Sequence, residues 1–254
     1  MTVKELKAYL EEWMAPTVPE EWDNDGIMVS GDTAARVSRV LLTLDITDGA
    51  VEYAVGNGFD TVLSHHPMIF SKLSSVTDEA PVSRRVLRLL RAGVSALSYH
   101  TRLDAAHGGV NDVLASLIGL ENVRPAGEGE LAIPRVGTVT DTSAADFASR
   151  VKAALGAPFV LYADGGKPIR QVFLVGGEGK DFLPAAQRAG ADLFLAGRIG
   201  YHSLTDAAMG GMTVMEAGHY FTEAPVLGAL AGLLKLADSN IYCEVFSSNV
   251  IQVG

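Results

Sequence analysis

The pattern of apolar and polar positions predicts a chain in which helices alternate with buried strands. Residues 2–5 match a capping box, and Leu6, Leu10 and Trp13 follow at helical spacing, which predicts a first helix ending before Pro16. Short apolar runs bounded by glycine or turn residues then predict buried strands. In the first half the predicted strands cover residues 26–30, 39–45, 61–64 and 94–99, and the later helices cover 48–57, 81–92 and 110–118.

The second half of the chain repeats this order of elements. Its predicted strands cover residues 158–162, 171–175, 192–196 and 212–216, and its predicted helices cover 143–156, 180–189, 203–208 and 223–236. Residues 39–60 align without gaps with residues 171–192, so that Asp60 meets Asp192. Long repeats of this type predict a duplicated α/β unit with mixed, mainly parallel sheets. A chance likeness between two ordinary βαβ units is the alternative interpretation.

We place the boundary of the two predicted repeats near a linker at residues 124–130, which contains proline, glycine and charged residues. The first repeat then covers residues 1–127 and the second covers residues 128–254. Within each repeat the predicted order is one helix, one strand, and then three strand–helix pairs.

Most of the histidines follow predicted strands. The five that do so are His65, His66, His100, His202 and His219. In open α/β sheets the ligand crevice lies beyond the carboxyl ends of the strands, so these imidazoles are expected to converge on one site. For any single histidine an ordinary hydrogen-bonded role is the alternative.

Two carboxylates accompany these histidines. Asp104 follows His100 by four residues, and Glu223 follows His219 by four residues. The alternative roles are a turn aspartate for Asp104 and a helix-start glutamate for Glu223. Because Pro225 favours a helix that starts near residue 222, His219 is expected in the loop before that helix.

Imidazoles and carboxylates together form a mixed nitrogen and oxygen ligand set. Such a set suits Zn, Mn, Fe or Ni, and the lone Cys243 lies far from it in sequence, which argues against a thiolate site. Two carboxylates with several histidines suffice for two metals that share a bridging oxygen. We therefore expect two divalent metal ions per chain, of undetermined identity.

Composition narrows the class of protein. The chain has 254 residues, of which 48% are hydrophobic and 20% are charged, as in a folded globular protein. Its net charge of −10 disfavours binding to nucleic acid, which requires many Lys and Arg contacts to phosphates. One cysteine excludes an intrachain disulfide and favours a reducing cytoplasm. No apolar run is long enough to predict a membrane span.

Four motifs occur in order along the chain: Glu21-Trp-Asp-Asn-Asp-Gly-Ile27, Ser64-His-His-Pro67, His100-Thr-Arg-Leu-Asp104 and Gly218-His-Tyr-Phe-Thr-Glu223. Together they resemble the signature of the Nif-three-like family, whose members are often labelled GTP cyclohydrolase I type 2 homologues or dinuclear metal centre hexameric proteins. The resemblance implies two intertwined α/β repeats, a toroidal homohexamer and a two-metal site in a cleft. The implied metal ligands are His65, His66, Asp104, His219 and Glu223.

This chain departs from the family pattern at two places. It lacks the large insert that some relatives carry between the two halves. Arg198 stands where relatives often have an acidic residue, so the contact that this position implies near the metals or the substrate differs here, while the implied ligands are unchanged.

The leading functional hypothesis is a metal-dependent hydrolase acting on a small molecule, either a nucleotide, a cyclic amide or a phosphoester. His100 or His202, outside the ligand set, would transfer protons, because an imidazole titrates near neutral pH. The rival hypothesis is a non-catalytic protein that stores or delivers metal, or a ring that serves as a scaffold.

Two weaker patterns have structural interpretations. Residues 175–181 are expected to form a tight turn between a strand and a helix, with a phosphate cradle as the minority interpretation. Arg84, Arg88 and Arg91 share one helical face, which favours a solvated surface over a phosphate-attracting rim.

Overall fold

The computed structural model describes residues 1–126 and 132–253, and the chain divides into two compact units. Unit 1 comprises Met1–Leu103 and Leu227–Ile251, and unit 2 comprises Asp104–Val226 with the residues after Ile251. These bounds differ from those of the predicted repeats, because the last helix and strand return to unit 1. The repeat boundary itself stays a prediction.

Unit 1 contains a five-stranded sheet. With strands numbered in chain order, its members are β1 (Gly26–Val29), β2 (Arg39–Thr43), β3 (Thr61–Ser64), β4 (Ser95–Ser98) and β11 (Tyr242–Phe246). Their order in the sheet is β1-β4-β3-β2-β11, and every neighbouring pair is parallel except β1 with β4. Thr43, Ser64 and Ser98 lie in register, so the carboxyl ends of β2, β3 and β4 meet at one edge.

The helices of unit 1 follow the predicted pattern closely. They are α1 (Val3–Trp13), α2 (Asp48–Gly56), α3 (Pro81–Ala92) and most of α10 (Val226–Ala237), and the short α4 (Thr101–Ala105) begins here. The capping box of α1 is confirmed, because the Thr2 side chain accepts from the Glu5 backbone and the Glu5 side chain accepts from the Thr2 backbone. Val51 of α2 and Leu89 of α3 are fully buried against the sheet residues Leu41 and Val62.

Unit 2 contains a six-stranded sheet. Its members are β5 (Glu121–Pro125), β6 (Arg135–Thr142), β7 (Leu161–Ala163), β8 (Ile169–Glu178), β9 (Leu193–Arg198) and β10 (Thr213–Glu216), in the order β5-β6-β8-β9-β10-β7. Strands β8, β9 and β10 are parallel, and the outer pairs are antiparallel. The predicted fold class, α/β with mixed and mainly parallel sheets, is confirmed: five of the nine described strand pairs are parallel.

The linker expected at residues 124–130 is wrong at its start. Arg124 and Pro125 belong to β5, which pairs with β6, and sequence patterns predicted neither strand. Residues 127–131 lie outside the described part of the chain.

The helices of unit 2 are α5 (Val110–Leu117), α6 (Ala144–Leu155), α7 (Leu183–Arg188), α8 (Tyr201–Met209) and α9 (His219–Glu223), with a 3₁₀ turn at Lys180–Phe182. Phe147 of α6 and Leu114 of α5 are fully buried with Val172 and Leu193 of the sheet. Among the described residues of both units, no helix is long and apolar enough to cross a membrane.

The two units share a hydrogen-bonding arrangement that supports the predicted duplication. In unit 1, Asp60 Oδ2 accepts from the backbone N–H groups of residues 38 and 39 at 2.8 and 3.0 Å. In unit 2, Asp192 Oδ2 accepts from those of residues 170 and 171 at 3.0 and 2.9 Å. Each partner differs by the same offset that aligns the sequences. Such agreement in position and contact favours duplication over a chance likeness.

Candidate metal centre

Three imidazoles gather at the carboxyl edge of the unit 1 sheet. His65 and His66 follow β3 directly, and His100 comes two residues after β4. The ring centroids lie 4.9 Å apart for His65 and His66, 5.3 Å for His65 and His100, and 5.7 Å for His66 and His100. Each ring offers a nitrogen within 4.8 Å of the other two, so this histidine cluster (His65, His66 and His100) can hold a metal ion.

Each imidazole of the histidine cluster is oriented by an acceptor at its Nδ1 atom. The acceptors are the Tyr99 carbonyl at 3.0 Å from His65, Asp45 Oδ1 at 2.7 Å from His66, and Asp23 Oδ1 at 3.0 Å from His100. A neutral imidazole that donates through Nδ1 has its lone pair on Nε2, which is the atom available to a metal or a proton. The same arrangement orients metal-binding histidines in many proteins.

The loop before β1 supplies two buried carboxylates beside His100. Asp23 accepts from His100, from the Thr101 backbone at 3.1 Å and from the Thr101 hydroxyl at 2.6 Å. Burial opposes ionisation of Asp23, but these hydrogen bonds outweigh it and hold the pKa of Asp23 far below its usual range. Asp25 accepts from the His100 backbone at 2.9 Å, and burial raises the pKa of Asp25. Both belong to a quoted motif, yet sequence reasoning gave neither a role.

A second group of ligand-type side chains lies in unit 2. His219 Nε2 lies 3.0 Å from Glu223 Oε2, and a carboxylate oxygen of Asp104 lies within 4.8 Å of one of Glu223. The Asp104 and Glu223 residues are only 9% and 4% exposed. The expectation that His219 lies in a loop is wrong: residues 219–223 form α9, a short helix before α10 that carries both side chains on one face.

Glycines on the unit 2 sheet make the position of α9 possible. A Cβ atom at Gly177 would lie 2.0 Å from Glu223 Oε1, and one at Gly197 would lie 2.8 Å from His219 Cα. The Gly177 N–H donates to the Thr222 hydroxyl at 3.1 Å, which fixes the helix on β8. The tight turn expected at residues 175–181 is therefore wrong for residues 175–178, which continue β8 and give room to the two candidate ligands.

Asn111 and Arg135 hold the backbone around Asp104. The fully buried Asn111 side chain donates to the Asp104 carbonyl at 3.1 Å and accepts from the Gly176 N–H at 2.7 Å. Arg135, 1% exposed, donates to the Ala105 carbonyl at 2.7 Å. Sequence reasoning gave neither residue a role: Asn111 lies within the predicted helix 110–118, and no element was predicted at Arg135.

The structure leaves other sequence candidates outside these groups. His202 is exposed on α8, and no described metal-type group includes it. Arg198 is exposed at the end of β9. The arginine face of α3 carries ion pairs with α2: Arg84 and Arg85 with Asp48, and Arg88 with Glu52. This pairing agrees with the solvated-surface interpretation.

The family model described as Duf34/NIF3 (NGG1p interacting factor 3) matches residues 1–253. The chain belongs to the DUF34/NIF3 family. This result confirms the resemblance inferred from the four motifs.

DUF34/NIF3 relatives match over most of their length. The chain is 30% identical over 233 residues to the GTP cyclohydrolase 1 type 2 homolog of Clostridium perfringens, covering 89% of this chain and 88% of the relative. It is 31% identical to the Protein NIF3 homolog of Schizosaccharomyces pombe over an alignment of 271 positions, which covers 97% of this chain and 92% of the relative.

Solved structures show the same NIF3 fold. The Staphylococcus aureus hypothetical protein SA1388 superposes with a TM-score of 0.90 at 24% identity, covering 100% of this chain and 99% of that one. Reduced HcgD from Methanocaldococcus jannaschii superposes with a TM-score of 0.83 at 23% identity, covering 96% and 97%. At these identities the likeness establishes the fold.

Proposed function

We propose that this DUF34/NIF3 protein is a metal-dependent hydrolase with two divalent ions per chain. The proposed ligands are His65, His66, Asp104, His219 and Glu223. The observation that carries the proposal is the histidine cluster, in which each Nδ1 atom is hydrogen-bonded to a carbonyl or carboxylate oxygen, so that a neutral ring directs its Nε2 lone pair to a metal or a proton. Relatives named GTP cyclohydrolase 1 type 2 homolog agree with a hydrolytic role.

The ligand chemistry of both units fits divalent cations. Asp104 and Glu223 are buried close together, and two ionised carboxylates in such a place repel each other unless a cation offsets their charge. Imidazole nitrogen with carboxylate oxygen suits Zn, Mn, Fe or Ni. When bound, such ions lower the pKa of a water molecule toward neutrality and polarise the bond to be cleaved.

Proton transfer is the role that we assign to His100. Its Nδ1 atom donates to Asp23, so Nε2 can accept a proton while the ionised Asp23 stabilises the resulting imidazolium. The ring is partly exposed, with 23% of its side chain accessible, which permits exchange with solvent. His202 stays a second candidate, on the basis of sequence alone.

The alternative is a protein that binds metal without catalysis, for storage, delivery or the support of a ring. The same buried ligands would serve that role. The two functions differ in whether a small molecule is turned over, so the test must measure both metal content and hydrolysis.

Elemental analysis of protein purified without chelator is expected to find about two divalent transition metals per chain. The metal-loaded protein is then assayed against nucleoside triphosphates, cyclic amides and phosphoesters. We expect the wild-type protein to hydrolyse one of these substrate classes and Glu223→Gln to hydrolyse none. His107→Ala, which changes an exposed residue, should be as active as the wild type. Absence of bound metal would overturn the proposal, and bound metal without any turnover would favour storage or delivery.

We further propose a homohexamer in a reducing cytoplasm, acting on a small-molecule substrate without membrane or nucleic-acid partners. The hexamer rests on the family resemblance, the reducing cytoplasm on the single cysteine, and the exclusion of nucleic-acid partners on the net charge of −10. Light scattering is expected to give about six times the chain mass of 26.8 kDa. A monomer at every protein concentration would contradict this assembly.

A further inference from the structure

Two exposed aromatic rings stand beside the histidine cluster. Trp22 is 58% exposed and Phe70 is 53% exposed, and their ring centroids lie 6.3 Å apart. Each ring also lies 6.4 Å from the His100 ring, in a nearly perpendicular arrangement. Two large aromatic surfaces therefore face solvent directly beside the His100 imidazole. We call Trp22 and Phe70 the aromatic rim.

The residues next to the aromatic rim are anchored. Asp23, which follows Trp22, is bonded to His100 and Thr101. The Asn24 side chain donates to the Ile69 carbonyl at 2.6 Å, which joins the Trp22 segment to the Phe70 segment. These hydrogen bonds fix the backbone on which both rings stand, so little conformational freedom remains to be lost when a ligand binds.

We propose that the aromatic rim binds a planar heteroaromatic ring of the substrate by stacking. Flat apolar surface with a few adjacent polar groups is the usual composition of a small-molecule site, and aromatic side chains bind bases of any sequence through their faces. The position beside His100 places polar substituents of such a ring next to the imidazoles. Nucleotides, and cyclic amides that are part of a heteroaromatic ring system, have a flat ring that can stack on the aromatic rim. Simple phosphoesters have no such ring.

Calorimetric titration with guanosine 5′-monophosphate, and with ribose 5-phosphate as the matched probe without a ring, tests this inference. We expect the nucleotide to bind at least about tenfold more tightly than the sugar phosphate. Trp22→Leu and Phe70→Leu should each weaken nucleotide binding by about tenfold, and Trp22→Tyr should retain most of it. Tyr162→Leu, which removes a 44% exposed aromatic residue from unit 2, should leave binding unchanged.

A fluorescence measurement tests whether the nucleotide base binds next to Trp22. Trp13 and Trp22 are the two tryptophans, so Trp13→Phe leaves Trp22 as the sole tryptophan, and its selectively excited emission should be quenched by the nucleotide. Equal affinities for the two probes, equal nucleotide binding by wild type and both leucine variants, or no binding by either probe would overturn the inference. A changed oligomeric state in Trp22→Leu without nucleotide binding would instead assign the rim to contact with a second copy.

The reaction at this site rests on the proposed function, but ring binding does not require metal. The titrations are therefore made with protein as purified and again with chelator. Nucleotide binding in a protein that never takes up metal would refute the proposed function alone. Metal uptake without ring binding would refute only the aromatic rim.

Discussion

Zinc at a hundred times its dissociation constant is expected to raise the melting temperature of the wild-type protein by about 5–10 °C. A ligand bound only to the folded state adds about 2.7 kcal/mol at that concentration, and a protein of this size gains about 2–4 °C per kcal/mol. Asp104→Asn and Glu223→Gln should lose most of the rise, because each substitution removes an anionic ligand while preserving side-chain shape. Thermal denaturation with and without zinc measures the effect.

His107→Ala is the matched control, since His107 is exposed three residues beyond Asp104 and joins none of the described metal-type groups. It should retain the full zinc-induced rise. An equal rise in wild type and in both carboxylate variants would show that the metal binds elsewhere. Circular dichroism at low temperature verifies that each variant is folded before its response is compared.

Gly177→Ala is expected to destabilise the protein by about 2–5 kcal/mol and to abolish the zinc-induced rise. The residue has φ +64°, where a side chain costs about 1–2 kcal/mol, and overpacking adds about 1–3 kcal/mol. The new methyl group would lie 2.0 Å from Glu223 Oε1 and would displace that carboxylate. Denaturant unfolding measures the stability, and thermal denaturation measures the zinc response.

Gly190→Ala separates the two contributions. Gly190 has φ +68°, nearly the same backbone conformation, but a Cβ atom there meets nothing within 4 Å. Gly190→Ala should lower the free energy of unfolding by only the cost of a side chain at positive φ, about 1–2 kcal/mol, and should keep the zinc-induced rise in melting temperature. Equal stability losses in the two variants, with zinc binding intact in both, would contradict the close packing of α9 against β8.

The fold was predictable where local signals agree with burial. The capping box of α1 and the apolar runs of β2 and β3 led to correct elements because each local preference matches its tertiary environment. Strand β6 was not predicted because glycine and threonine interrupt its apolar pattern. Its pairing with β5 joins two separate segments of the chain, and the local pattern of residues in either segment does not show it.

The residue types that gather at the candidate metal centre were predictable from the sequence, but the residues that position them were not. Histidines after strands are visible in sequence, because the edge of a parallel sheet is a known position for ligands. The anchoring of His100 by Asp23 depends on two segments 77 residues apart in sequence. The glycines of β8 were interpreted as a turn because small residues are common in turns, whereas here they permit close approach of a helix.

The shared Asp60 and Asp192 contact shows which positions of the two units correspond. The aspartates have matching backbone partners, yet the positions five and six residues later hold His65 and His66 in unit 1 and Gly197 and Arg198 in unit 2. At these matched positions unit 1 carries imidazoles, whereas in unit 2 the absence of a side chain at Gly197 leaves room for the helix that bears His219. The same place in a repeated scaffold thus presents a side chain in one unit and makes space for one in the other.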